Sequence, residues 1–325
     1  MTKLPPNHRP ASPLTDTSTK PHRRNISGIL LLDKSAGLTS NAALQRAKRL
    51  YAALKAGHTG SLDPLATGML PICFGQATKV SSYLLDSSKT YQVRAKLGTA
   101  TDTGDADGSV VDKQAVPLIE ESALVALLAR FLGQMDQIPP MYSALKRDGQ
   151  PLYRLARRGI EVDRAPRAIV VHALSLEAFQ PPEFDFVVHC SKGTYVRSLV
   201  VDIAAALGTV GHVTALRRLR VDPYHDAAMY DMDVLEHTAH EGLDALDRLL
   251  LPVDSALVGW PRLSVSADHA NRLQHGQNVP VDVACTPGRV LLYGPQQEFF
   301  GIGDVLASGM LKPRRVFLRS TLGAK

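Results

Sequence analysis

The chain has 325 residues, 45% of them hydrophobic, and carries 37 Lys and Arg against 31 Asp and Glu. That is enough for one large domain with its own core plus a smaller one, and the basic excess suits a polyanionic partner without requiring one. No apolar run reaches the roughly 18 residues that span a bilayer. Cys73, Cys190 and Cys285 stand too far apart for a CxxC metal site or a disulfide framework, so all three thiols are expected to stay reduced.

The first 25 residues hold Lys3, Arg9, Lys20, Arg23 and Arg24 against Asp16 alone, four of the six net charges. The segment lacks the apolar core of a secretory signal. Pro5, Pro6, Pro10, Pro13 and Pro21 oppose the amphipathic helix of a transit peptide, so residues 1–27 read as a disordered basic tail. Ile29 to Leu32 is an apolar run that reads as a buried strand ending near Asp33 and a turn at Gly37. Thr39 or Ser40 can cap a helix with Leu44, Ala47, Tyr51 and Leu54 on its apolar face. Gly57 to Gly68 reads as a loop, Tyr91 to Leu97 alternates like a half-buried strand, and Thr99 to Gly108 is an acidic loop. An amphipathic helix is predicted over 119–132 before Pro139 and Pro140 break the chain.

Residues 139–167 hold seven bases (Lys146, Arg147, Arg154, Arg157, Arg158, Arg164, Arg167) interleaved with Tyr142 and Tyr153. Strands around 168–178 and 184–191, a helix from about Tyr195 to Leu207, a short strand from Leu216 to Val221 and a helix near 243–250 follow. Beyond Val258, short segments between Gly and Pro suggest a small β-rich domain. Strands and helices mix irregularly, so the class is α+β with a mixed, largely antiparallel sheet and flanking helices.

Reactive residue types concentrate in Gly57-His58-Thr59-Gly60-Ser61-Leu62-Asp63-Pro64-Leu65-Ala66-Thr67-Gly68. Proline holds the preceding residue extended, which presents the Asp63 carboxylate stiffly, as a nucleophile or general base requires. On spacing alone an ordinary Asp-Pro turn explains it equally well. Asp102, Asp105 and Asp107 lack the Gly and Glu positions of a calcium loop, so no metal is expected.

The Gly57–Gly68 stretch closely resembles the catalytic motif of TruB-family pseudouridine synthases. The likeness extends, in the family's order, to Leu31-Leu32-Asp33-Lys34, Lys89-Thr90-Tyr91, Thr101 to Gly108, Pro140 to Lys146, Cys190 to Arg197, His212-Val213 and Leu216 to Leu219. Where the family usually reads Asp-Lys-Pro-x-Gly, this chain has Asp33-Lys34-Ser35-Ala36-Gly37. The resemblance implies that Asp63 is the catalytic aspartate and that His58 fills the space left when the target uridine swings out. It implies further that Tyr91 stacks on the flipped base, which in isolation would read as a cross-strand aromatic. Arg197 would pair with Asp63, Tyr195 and Leu216 would line the uracil pocket, and Lys34 would lie near the bound RNA.

The fold implied is the pseudouridine synthase domain over 28–255, with 139–167 as a thumb-like segment closing on RNA phosphates. A PUA-like RNA-binding domain is expected over 256–325. The expected reaction is isomerisation of the uridine at position 55 in the T loop of tRNA, without cofactor. The protein is expected to be a cytoplasmic monomer with no obligatory protein partner and no membrane. Three roles stay open for Asp63: attack on the ribose, addition to the base, or help in removing the 2′ proton. Two rival readings are a non-catalytic chaperone of the tRNA T arm and an unrelated hydrolase. The hydrolase would need a partner acid or base for which no motif exists.

Overall fold

The computed structural model describes residues 23–281 and 286–317. Most of the expected basic tail, and Cys285, lie outside the described residues. The chain is already tied down at Arg24, whose guanidinium pairs with Asp247 and whose backbone bridges to Ala53. Ile26 is buried, so ordered structure starts a few residues before Ser27.

Strand β1 (Gly28–Lys34) leads into helix α1 (Ser40–Leu50), then β2 (Ala56–His58), β3 (Thr67–Phe74), α2 (Ser81–Asp86) and β4 (Lys89–Leu97). A ribbon of β5 (Thr99–Thr101) and β6 (Val110–Lys113) brackets the acidic loop, followed by α3 (Glu121–Ala129) and β7 (Gly133–Gln137). The basic segment holds only β8 (Lys146–Arg147), β9 (Gln150–Pro151) and α4 (Leu152–Ala156). Then come β10 (Arg167–Gln180), β11 (Glu183–Cys190), α5 (Val196–Ala206), β12 (Gly211–Val221), α6 (Met232–His240) and α7 (Leu243–Asp247). The C-terminal part contains β13 (Arg262–Ser264), α8 (Ala267–Gln274), β14 (Val279–Pro280), β15 (Gly288–Tyr293), β16 (Phe299–Val305) and β17 (Met310–Val316).

The main sheet runs β1-β3-β12-β4-β11-β10-β7, with β2 on β3. Every pairing is antiparallel except β12 with β3, which touch only at Arg217–Thr67 and Arg218–Gly68 before diverging. The class is therefore the expected mixed, largely antiparallel α+β one. A second sheet, β13-β15-β16-β17-β14, forms the C-terminal β-rich part.

β1 over Ile29 to Leu32 and β3 over Met69 to Phe74 carry no polar side chain because they are buried on both faces. Leu30, Leu32, Leu70 and Ile72 join the main core under α1 and α5. Ile29, Leu31, Met69 and Cys73 join a second core with Leu257, Leu291, Ile302 and Phe317. β4 and β11 bury one face only, Val93, Ala95, Phe184, Phe186 and Val188 packing on the main core, and their sequences alternate accordingly. At the start of α1, Thr39 is the cap, its Oγ1 accepting from Ala42 N at 3.1 Å. Ser40 instead turns inward to Leu62 in the loop between β2 and β3.

Candidate active site

Residues 59–66 connect β2 to β3 and carry Asp63 past the place where the sheet splits. Four devices hold this loop. Buried Ser40 clamps Leu62, its Oγ donating to the Leu62 carbonyl at 3.0 Å and accepting from Leu62 N at 2.7 Å. Gly37 N donates to Pro64 O at 2.9 Å. Lys34 Nζ donates to Leu38 O at 2.7 Å, Ser35 O at 2.9 Å and Pro64 O at 3.3 Å. Arg218 donates from Nη2 to Gly60 O at 3.1 Å and from Nε to Met69 O at 2.6 Å. The turn that lacks the family's usual proline is thus secured by the Lys34 ammonium. Lys34 itself is 1% exposed, and burial pushes its pKa down to about 8. It lies beside the site, its ammonium shared among three backbone carbonyls.

Arg197 sits in the first turn of α5 and is 5% exposed. Its Nε forms an ion pair with Asp63 Oδ2 at 3.0 Å. The rest of the guanidinium is satisfied by Thr103 O and Tyr142 O, both at 2.7 Å, and by Asp105 Oδ2 at 3.5 Å. Asp105 is fixed in turn, Oδ1 accepting from Thr103 Oγ1 at 2.6 Å and from Asp107 N at 3.2 Å. The acidic loop is therefore a cradle for an arginine, which is why its carboxylates do not gather as metal ligands; among the described residues no such cluster occurs. Such a chain of charge-assisted bonds fixes the direction of Asp63.

Crowding by the cleft walls raises the Asp63 carboxyl above its ordinary value. Desolvation is the largest cause, Asp105 and Asp107 add to it, and Arg197 and Lys34 oppose it. With 41% of its side chain still reached by water, much of this penalty takes full effect only when a substrate fills the cleft.

Two connected cavities meet at Asp63 and Arg197. One of about 600 Å³ is lined by His58, Asp105, Tyr142, Tyr153 and Arg157. The other, about 500 Å³, is lined by Tyr91, Tyr195, Leu216, Leu85 and Leu145. The structure thus brings Asp63, Arg197, Tyr91, Tyr195 and Leu216 to one pocket and places His58 next door. Leu216 is 8% exposed. Tyr195 is positioned through its backbone, which exchanges two hydrogen bonds with the buried Gln137 amide, at 2.8 and 3.0 Å. The Nδ1 of His58 is buried without a partner, and burial together with nearby Arg218 lowers its pKa, so the ring is a neutral plug at physiological pH. Tyr91 projects from β4 toward the site, directly across from Arg218 on β12.

The basic segment caps the mouth. Tyr142 Oη donates to Asp102 Oδ2 at 3.3 Å, and Arg157 lies over the Tyr153 ring at 5.6 Å. Lys146, Arg154, Arg157, Arg158 and Arg167 remain exposed.

Sequence reasoning offered Ser40 only as a helix cap and gave no role to Gln137 or Arg218. Their burial was invisible in a single chain, since polar residues are exposed by default. Arg218 stood inside one of the family-like stretches, Leu216 to Leu219, and that was the one signal that could have found it.

This constellation has close relatives. Residues 48–196 match the TruB family pseudouridylate synthase N-terminal domain. Residues 197–258 match the tRNA pseudouridylate synthase B C-terminal domain, and 261–317 the pseudouridine synthase II TruB C-terminal model. A tRNA pseudouridine synthase B from Nitrosococcus oceani is 47% identical, covering 90% of this chain and 95% of that one. One from Stutzerimonas stutzeri is 49% identical, over 90% and 96%. Among solved structures, a Cbf5–Nop10–Gar1 complex matches with a TM-score of 0.68 at 22% identity, over 90% of this chain and 85% of that one. That likeness bears on the fold alone, and it places the main sheet and cleft in the same architecture. With family models matching in order over nearly all the described chain, and relatives this similar along almost their full length, the chain belongs to the TruB family of pseudouridylate synthases.

Proposed function

We propose that the protein isomerises a uridine to pseudouridine in tRNA, at position 55 of the T loop, with Asp63 as the catalytic carboxylate. The observation that carries this is the Asp63–Arg197 pair at 3.0 Å on the shared wall of the two cavities, in a chain whose relatives are named for that activity.

A uridine inside a folded loop must be extruded before its glycosidic bond can be reached. The pocket beside Tyr91, Tyr195 and Leu216 takes the base, and stacking on Tyr91 returns part of the unstacking cost, about 1–3 kcal/mol per base. Neutral His58 occupies the vacated position in the RNA loop without adding charge there. Arg197 grips Asp63 through Oδ2, so the other carboxylate oxygen is the one offered to the substrate. The bond from the ribose to the base nitrogen breaks, the uracil turns while held, and carbon 5 takes that place on the ribose, losing its proton while the freed nitrogen gains one. Atoms and electrons balance within one molecule, so the chemistry calls for no cofactor. The exposed bases of the 139–167 segment hold phosphates over the mouth.

Among the described residues no helix is long and apolar enough to cross a membrane. We read the protein as a cytoplasmic monomer that needs no protein partner, since cleft, carboxylate and basic cap all come from one chain.

The test is pseudouridine formation in an unmodified T-arm stem-loop, wild type against Asp63→Asn. Product from the wild type and none from a folded, RNA-binding variant supports the reading. Tight binding by both with product from neither would replace it with a T-arm chaperone.

A further inference from the structure

Arg218 is the largest fully buried side chain among the described residues, 1% exposed, yet none of those residues places a carboxylate within ion-pair distance of it. Its guanidinium is solvated by the protein itself: Nε by Met69 O at 2.6 Å, Nη2 by Gly60 O at 3.1 Å, and the Tyr91 phenol beside them. These three partners belong to β3, to the catalytic loop and to β4. Arg218 stands on β12 in register with Tyr91 and with Gly68, at the last contact before the sheet splits. Gly68 has φ +97°, and a Cβ there would lie 2.2 Å from the Arg218 carbonyl oxygen. The backbone that carries the arginine is therefore pressed against the strand that follows the catalytic loop.

We propose that Arg218 is a positioning residue for the reaction: one rigid guanidinium sets the Tyr91 ring and the Asp63 loop at a fixed spacing. Arg197 steers the carboxylate from the α5 side, and Arg218 fixes the opposite wall on which the base must lie. A planar fork can bond in several in-plane directions at once, whereas an ammonium at the end of a flexible stem cannot hold the same spread. The positive charge also serves. It lowers the proton affinity of His58 and so favours the neutral ring at the cleft. The proposal rests on the synthase reading above.

The experiment uses full-length protein and an unmodified T-arm stem-loop, with Arg218→Lys, Arg218→Gln, Tyr91→Phe and the Arg218→Lys/Tyr91→Phe pair. Single-turnover rates at saturating RNA, RNA dissociation constants and thermal unfolding are recorded for each. Arg218→Lys keeps the charge and loses the fork. The expected result is a rate lower on the order of 10²-fold with RNA affinity within about threefold of wild type, because a displacement of about an ångström at a reacting group costs that much. Tyr91→Phe should cost much less in the Arg218→Lys background than alone, since the two act through one contact. Unchanged turnover in a folded Arg218→Lys protein overturns the proposal. So does full additivity with Tyr91→Phe. Failure of both Arg218 variants to fold would assign the residue to stability alone. An inactive wild type would instead strike at the synthase reading, so the two failures are distinguishable.

Discussion

At Asp63 two opposing influences meet, and their balance predicts a pH profile. Crowding raises the carboxyl pKa and Arg197 lowers it, with crowding ahead. The reactive ionised form is therefore lost as pH falls through a value above that of an ordinary aspartate. The acid limb of turnover against pH should lie above about 4. Arg197→Lys, which displaces the opposing charge, should move that limb further up and slow turnover on the order of 10²-fold. A limb unmoved in the variant would mean the pair does not set the protonation of Asp63. The motif made Asp63 and Arg197 legible, because the family pattern fixes both residue types. Lys34 was legible as a neighbour but not as a strut: only the fold shows its ammonium shared among three carbonyls.

Among the elements, the strands that bury one face announced themselves by alternation. β10 and β11 lie at Arg167–Gln180 and Glu183–Cys190, close to the ranges read from sequence. β3 did not, because it is buried on both faces and contains Pro71, so it offers neither a period of two nor an unbroken run. The helices α2 and α6 were also missed, and β12 begins at Gly211, five residues ahead of Leu216. Gly68 carries a testable burden at this scale. Ala there would have to hold a left-handed φ and push a Cβ against the Arg218 carbonyl. Gly68→Ala should destabilise the protein by at least about 2 kcal/mol, read as a clear fall in melting temperature. An unchanged melting point would show that β3 and β12 can part locally.

For the molecule as a whole, charge governs both partner and stability. Arg154 and Arg158 are exposed on the basic segment. Replacing both with Gln should weaken RNA binding and reduce the slope of log affinity against log salt by about one for each phosphate no longer neutralised. Turnover at saturating RNA should hardly change. An unaltered slope would remove this segment from the RNA interface. Stability has its own pH signature. Burial lowers Lys34 and Lys89 to about 8, whereas both keep the usual value near 10.5 when unfolded. Between those values the unfolded chain binds more protons, so these two groups make stability rise as pH increases from about 8. Thermal unfolding at pH 7.5 and 9.5 should show a larger gain for wild type than for Lys34→Met.

The two-sided burial of β1 and β3 has a consequence for synthesis. Strand β1 receives part of its covering from Leu257, Leu291, Ile302 and Phe317, which leave the ribosome long after it. A nascent chain can close the cleft face early, but its underside stays bare until the residues of the second core have been made. A premature stop near residue 256 would thus release a protein with every side chain named for the proposed reaction present and an oily floor open to aggregation. Quality control, and not the loss of any reacting group, would remove that product.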